Sequence, residues 1–405
     1  MIHERNEEMR AFIAIILGSD ENAYGCAKLF YEISGERALL LCSKPLPATS
    51  YSRILTRRVV PDFDSPAMFR RVISETLSVL KKEAEKLLLV PCSDYYSELI
   101  VNNRDICEGY VSSPILTKDC YARFSTKASF KELCEEYGVS HPKTEIVIPS
   151  GAVGERRERK YPLVLKPSNS NSFEYLHSDI ADRRKVYICH DESELKRALE
   201  SFVLDGYNTP AVIQEYIGGD ERYYRVVNAY CDRNSKVRLI GVGRPLLEYK
   251  ADSLIGNYAA VKAVRDRALC DLAADFLERI GYVGFANIDV KISPETDEYV
   301  FLELNPRQGR SSYYIRAAGE NLMGAMYEDA VLGKAYSGRR YAEGDGIWIN
   351  EPMSVIRREM KTRGLPLSEL DGENSVRAVS LTSDFSIPRS AALLKRAVRS
   401  YIKKI

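Results

Sequence analysis

Residues 284–310 read GFANIDVKISPETDEYVFLELNPRQGR. Two apolar, β-rich runs flank the turn-like PETD, which predicts an antiparallel hairpin. Centring its turn on residues 295–297 sets Asp289 opposite Glu303 and Asn287 opposite Asn305. Alternation then puts all four polar side chains on one face of the ribbon. Two carboxylates facing each other on adjacent strands repel unless a cation sits between them. Oxygen donors of this kind, without His or Cys, suit Mg2+ or Mn2+. Arg307 and Arg310 follow at once, and planar guanidiniums suit carboxylate or phosphate oxygens. A half-exposed hairpin with a polar outer face is the competing reading, and the two arginines weigh against it.

Upstream, RDRALCDLAADFLERI (265–280) predicts a helix burying Leu269, Leu272, Ala273, Phe276 and Ile280, with Gly281 as its cap. Lys166 stands alone at the end of an apolar strand, Leu163–Leu165, and is followed by PSNSNSFEYL. A lysine so placed either snorkels or pairs with an anion such as a phosphate. Small Ser and Asn residues let a loop fold backbone N–H groups over phosphates. No GxxxxGK[ST] motif occurs. Glu221, beyond QEYI (214–217), can accept hydrogen bonds from ribose hydroxyls, and the QEYI backbone can meet an adenine edge. Lys127, near the start of a helix carrying Phe130, Leu133, Cys134 and Tyr137, is a second cation candidate.

The first hundred residues alternate strand and helix: AFIAIILGSD, NAYGCAKLFYEI, RALLLC, MFRRVISETLSVLKKEAEK and LLLVPCSD. Such alternation predicts a parallel α/β unit whose ligands sit at strand carboxyl ends, here Gly18-Ser19-Asp20 and Ser93-Asp94. Strands PKTEIVI, YPLVLKPS and AVIQEYI follow, with a helix opened by Asp191 and Glu194. At 405 residues the chain exceeds what one core serves. The expected division is 1–115, 116–205, 206–335 and a small, helical C-terminal extension, 336–405.

A net charge of +1 provides no field for nucleic acid or an anionic membrane, and RAVRSYIKKI (396–405) reads as a solvated helix end. Nine scattered cysteines without CxxC spacing and four isolated histidines argue against disulfides and zinc and for a reducing cytoplasm. No run is long enough to span a membrane.

Taken in order, Lys127, Lys166-Pro167, Gln214-Glu215-Tyr216-Ile217 with Glu221, and Asp289…Glu303-Leu304-Asn305 resemble the ATP-grasp superfamily of carboxylate–amine ligases. The resemblance implies a Rossmann-like N-terminal domain followed by a two-lobed ATP-grasp fold, α/β and α+β. It implies ATP between the lobes, with Lys127 and Lys166 on its phosphates. Gln214, Glu215 and the Ile217 backbone would lie along adenine and Glu221 at the ribose. Asp289, Glu303 and Asn305 would hold one or two Mg2+, or Mn2+. In the D-alanyl-D-alanine ligase branch an arginine precedes the metal-binding aspartate by two positions; Asn287 stands there in this chain.

LGSDENAYGCAKLF (17–30), KPSNSNS (166–172) and ELNPRQGRSSYYIRAAGENL (303–322) are similar to the bacterial D-aspartate ligases. Those enzymes join the β-carboxylate of D-aspartate to a lysine side chain in a peptidoglycan precursor, UDP-MurNAc-pentapeptide. Arg307 and Arg310 would then bind the acid and the developing acyl-phosphate charge. The same residues also fit a ligase for another amino acid or dipeptide, or a nucleotide-binding protein without turnover. A homodimer is compatible with this reading.

Overall fold

The computed structural model describes residues 9–152, 158–168, 184, 186–204, 209–250, 254, 256–371 and 374–402. Three sheets organise them. The first is parallel, in the order β3-β2-β1-β4, from β1 (Arg10–Leu17), β2 (Ala38–Cys42), β3 (Leu55–Val59) and β4 (Ala84–Pro91). β1 is apolar on both faces because both are covered. Phe12, Ala14 and Ile16 join one core with the helix Glu21–Ser34, while Ile13, Ile15 and Leu17 join another with Pro66–Leu80. Strand order reverses between β1 and β4, and the crevice at their carboxyl ends holds Asp20 and Asp94. The helix expected over 68–86 stops at Leu80, because Ala84–Lys86 pair with β1 instead. The sequence marks neither β3 nor the helix Asp94–Asn102.

The second sheet is antiparallel, β5-β8-β6-β7, from β5 (Thr144–Val147), β6 (Leu163–Pro167), β7 (Tyr187–Cys189) and β8 (Ala211–Glu215). β8 bonds to both β5 and β6, so this lobe's sheet runs through Glu215, beyond the boundary expected after residue 205. Its helix Glu192–Leu204 opens with the Glu194 amide donating to Asp191 Oδ1 at 2.9 Å. Glu194 Oε2 in turn accepts from the His190 amide at 2.8 Å. Most of the Ser/Asn loop, residues 169–183, lies outside the described residues.

The third sheet is mixed. It comprises β9 (Tyr224–Cys231), β10 (Val237–Glu248), β11 (Tyr258–Val264), β12 (Gly284–Ile292), β13 (Tyr299–Asn305), β14 (Arg340–Ala342), β15 (Ile347–Ile349) and β16 (Ser375–Val376). They run in the order β13-β12-β9-β10-β11-β15-β16, with β14 on β10. One face packs on the helices Lys127–Tyr137 and Arg267–Arg279 through Phe130, Leu133, Phe276, Leu277 and Phe301. Leu272, expected inside, is exposed, and Leu277 is buried instead. The other face shares a core with the N-terminal sheet, in which Tyr230, Tyr314 and Trp348 meet Phe12 and Tyr24.

The C-terminal segment is not a separate helical addition, since β14, β15 and β16 extend the large sheet. It then returns to the N-terminal domain. Buried Asp384 accepts from Tyr24 Oη (2.7 Å) and Ser52 Oγ (2.9 Å) and pairs with Arg389 Nε at 3.0 Å. All nine cysteines are free. No described helix is long and apolar enough to cross a membrane.

Candidate active site

The hairpin forms as its sequence requires at the end that matters: Asp289 lies opposite Glu303 and Asn287 opposite Asn305. Beyond Asp289 the register slips, Val290 pairing with Phe301, so that Leu302 is an extra residue. The slip lets Leu302 and Glu303 both line a cavity while Phe301 stays in the core. That cavity, about 280 Å³, is bounded by all three sheets' elements and also by Lys127, Lys166, Asp289, Asn305, Arg307 and Arg310. Seven of the residues picked out from sequence are thus brought together.

Asp289 and Glu303, facing each other across the hairpin, are shifted in opposite directions. Burial, then the Glu303 charge, pushes the Asp289 carboxyl well up. Burial acts upward on Glu303 as well, but Lys127 and Lys166 hold it down at about 2. Lys127 Nζ stands 3.9 Å from Glu303 Oε2. The lysine opens its helix behind the cap Thr126, whose hydroxyl accepts from the Ser129 amide, so the helix N-terminus adds positive potential here. The Lys127 amide also donates to the Ser168 carbonyl at 3.3 Å, tying the helix to the end of β6. Burial and the Lys127 charge lower Lys166 to about 8.

Asn287 Nδ2 donates to Asp289 Oδ1 at 3.1 Å, and Asn305 Nδ2 to Glu303 Oε1 at 3.3 Å. Gly309 rests directly on Asn287: a Cβ there would fall 2.0 Å from its Oδ1. The Gly309 amide donates to Asn228 Oδ1 at 2.6 Å. Position 287 is therefore closed by the turn that carries the arginines, and a long arginine has no room there.

The two arginines differ. Arg307 meets Asp94 as a fork, Nε at 2.8 Å from Oδ1 and Nη2 at 2.9 Å from Oδ2. Arg310 touches Glu21 through Nη2 at 3.2 Å, and Asp20 Oδ2 lies 3.9 Å from its Nε. That Nε is buried without a hydrogen-bond partner among the described residues. All three carboxylates follow the carboxyl ends of β1 and β4, at the switch-point crevice of the parallel sheet. The arginines thus pin their turn to the N-terminal domain, and Arg310 keeps spare donor capacity. Arg316, on the short helix Tyr314–Ala317, points away from this cluster and pairs with Glu32 at 2.8 Å.

Four expected nucleotide contacts are not among the residues lining this cavity: Gln214, Glu215, Ile217 and Glu221. Gln214 is buried in the small sheet and donates to Thr144 Oγ1 at 3.0 Å. Exposed Glu215 approaches the Lys143 amide at 3.4 Å. Glu221 starts a short 3-10 turn, Glu221–Tyr223. The Ile217 carbonyl accepts from Lys291 Nζ at 2.7 Å, as does that of Gly219 at 3.0 Å. Lys291 escaped the sequence reading although alternation from Asp289 puts it on the same face of β12. Burial lowers its ammonium to about 8. Glu248, at the end of β10, also lines the cavity and is pushed up by burial.

Among the described residues no group of three or more His, Cys, Asp and Glu is arranged to hold a metal. Two carboxylates and an amide nevertheless fit Mg2+, which normally completes its shell with water and phosphate oxygens. The facing pair supports this, because burial and the Glu303 charge both raise the Asp289 carboxyl, and a cation between the two carboxylates offsets that repulsion.

No protein-family model matches the chain. It is 34% identical to the D-aspartate ligase of Enterococcus faecium (strain Aus0004), over 98% of this chain and 96% of that protein. The C-terminal section of the carbamoyl phosphate synthase large chain of Methanopyrus kandleri is 23% identical, over 52% of this chain and 38% of its own. Among solved structures, the ADP complex of N5-carboxyaminoimidazole ribonucleotide synthetase superposes with a TM-score of 0.60 at 14% identity, covering 87% and 86% of the two chains. The L-amino acid ligase of Bacillus licheniformis gives 0.55 at 13% identity, covering 80% and 74%. The likeness to these structures is one of fold, whereas the E. faecium match runs almost end to end. The chain is an ATP-dependent carboxylate–amine ligase of the ATP-grasp superfamily and belongs to the D-aspartate ligase family.

Proposed function

We propose that this ligase activates the β-carboxylate of D-aspartate and joins it to the lysine side-chain amine of UDP-MurNAc-pentapeptide. The observation that carries the reading is the 34% identity to a D-aspartate ligase across 98% of the chain. The cavity supports it by combining phosphate-binding and acid-binding groups in one place.

In this reading Lys127 and Lys166 bind the ATP phosphates, and Asp289, Glu303 and Asn305 hold one or two Mg2+. Bound Mg2+ supplies charge neutralisation on the phosphates. Leu302 offers an apolar wall beside Glu303. Arg310 binds the acid with its spare donors, and Arg307, engaged by Asp94, fixes the turn that carries it. A carboxylate oxygen of the acid attacks the γ-phosphorus and the bond to ADP breaks, leaving an acyl phosphate. The acceptor amine then attacks the acyl carbon, phosphate departs, and the nitrogen loses a proton. The chain's contribution is alignment and charge stabilisation, which dominate phosphoryl transfer.

The test is ADP release with Mg-ATP, lysine-containing UDP-MurNAc-pentapeptide and a panel of D- and L-amino acids, with product masses recorded. Turnover confined to D-aspartate, adding one aspartyl residue to the pentapeptide, is expected. Turnover with a different acid or acceptor would overturn the substrate assignment while leaving the ligase intact.

A further inference from the structure

The last helix, Ile387–Ile402, turns its paired charges inward and its apolar side chains outward, the reverse of an ordinary surface helix. Arg389 is buried against Asp384, and Arg396 Nε reaches Glu21 Oε1 at 2.8 Å. On the opposite side Ile387, Leu394, Val398 and Ile402 are 78%, 65%, 48% and 74% exposed. Spacings of seven and four residues keep them on one stripe. Phe385, 63% exposed, prolongs it, and Tyr51, 54% exposed, lies alongside, since Ser386 Oγ donates to the Tyr51 carbonyl at 3.4 Å.

The charge around this stripe has one sign. Lys395 and Arg399 are exposed along its edge, with no ion-pair partner among the described residues. Exposed Arg57 stands over the Tyr51 ring at 6.0 Å. No acidic residue occurs between Phe385 and Ile402. The solvated helix end expected from sequence is therefore a helix whose outer face is apolar and cation-edged.

We propose that this face docks on an anionic lipid bilayer, the helix lying in the surface plane. Headgroups answer the cations, and the acyl boundary takes the stripe and the two aromatic rings. A second copy is the poorer occupant. A self-complementary contact would bring the same cations together with no carboxylate on the helix to meet them.

The intact chain is floated through a density gradient with vesicles of phosphatidylglycerol and phosphatidylcholine, or of phosphatidylcholine alone. It is expected to float with the anionic vesicles, and about tenfold less with neutral ones or at high salt. Two variants, Leu394→Ser/Val398→Ser/Ile402→Ser and Lys395→Glu/Arg399→Glu, each lose flotation by about tenfold or more. Their thermal midpoints and ATP turnover stay at the parent level, because these side chains touch neither core nor cavity. Absence of flotation with anionic vesicles overturns the proposal, as does flotation that survives in both variants. A concentration-dependent dimer abolished by the triple variant would assign the stripe to a second copy instead.

Discussion

Asp289 and Glu303 are the residues whose chemistry is most readable, because the hairpin register and two-residue alternation together fix their common face. Asp289 accepts from Asn287, and burial together with the facing Glu303 charge raises its carboxyl, so its negative charge costs free energy in the folded chain. An asparagine keeps an acceptor for Asn287 and removes the charge. Asp289→Asn should therefore leave the metal-free protein as stable as the parent or more so, by about 0.2–1 kcal/mol. Turnover should fall about 100-fold or further, as when a charge-stabilising group is lost. Chemical denaturation and ADP release check the two halves; a destabilised variant, or an active one, would remove Asp289 from the role assigned. Lys166 supplies a pH prediction. Its folded value of about 8 lies below the ordinary 10.5, so the unfolded chain binds more protons between those values. Its contribution to stability consequently rises with pH across that window. Nucleotide affinity moves the other way, weakening as pH climbs through about 8, by at most about tenfold per unit for one linked proton. Titration calorimetry at several pH values should show this for the parent, while Lys166→Arg, which keeps its charge, should flatten the curve.

At the scale of elements, legibility followed burial. The hairpin and the helix Arg267–Arg279 announce themselves through period and turn chemistry. The centre of the large sheet does not: β9 and much of β10 are buried on both faces, so no polar alternation marks them. β14, β15 and β16 are two or three residues long, too short to carry a period, and exist because the large sheet offers them edges. The bulge at Leu302 was equally hidden, since a one-residue slip leaves the local composition unchanged. The connection from β8 to β9 joins the small sheet to the large one, and Lys291 of β12 fastens its Ile217 and Gly219 carbonyls. Lys291→Met keeps the bulk of the side chain and leaves both acceptors without that donor. A loss of about 1–3 kcal/mol in unfolding free energy is expected, together with weaker nucleotide binding. Denaturant unfolding that matches the parent within about 0.5 kcal/mol would show that water replaces the ammonium and that the clasp is dispensable.

At the scale of the whole molecule, the Arg310 end of the cavity, where we propose that the acid binds, is assembled from both ends of the chain, which no local pattern could disclose. Arg310 leans on Glu21, 289 residues away, and Glu21 in turn holds Arg396 of the last helix. Arg396 also reaches Glu351 Oε1 at 3.2 Å, and Tyr249 Oη donates to the same oxygen at 2.8 Å. Despite burial, Arg396 and Arg310 keep the Glu21 carboxyl below its usual value, so both cations stabilise it as an anion. This stabilisation is present above the ordinary carboxylate value and disappears as pH falls through the lowered one. Arg396 touches no cavity residue other than through Glu21, which makes it a positioning residue for Arg310. Arg396→Ala should cost about 3 kcal/mol, the scale for breaking one side of a buried pair. It should also free Glu21 to bind Arg310 more closely, drawing donors from the acid. The kinetic signature is a KM for the acid raised about tenfold, equivalent to ~1.4 kcal/mol, with the dissociation constant for ATP unchanged. Arg396→Lys restores the charge without the fork and should recover part of both. A variant that loses stability while its acid KM stays at the parent value would mean that the last helix braces the fold and has no hand in substrate binding.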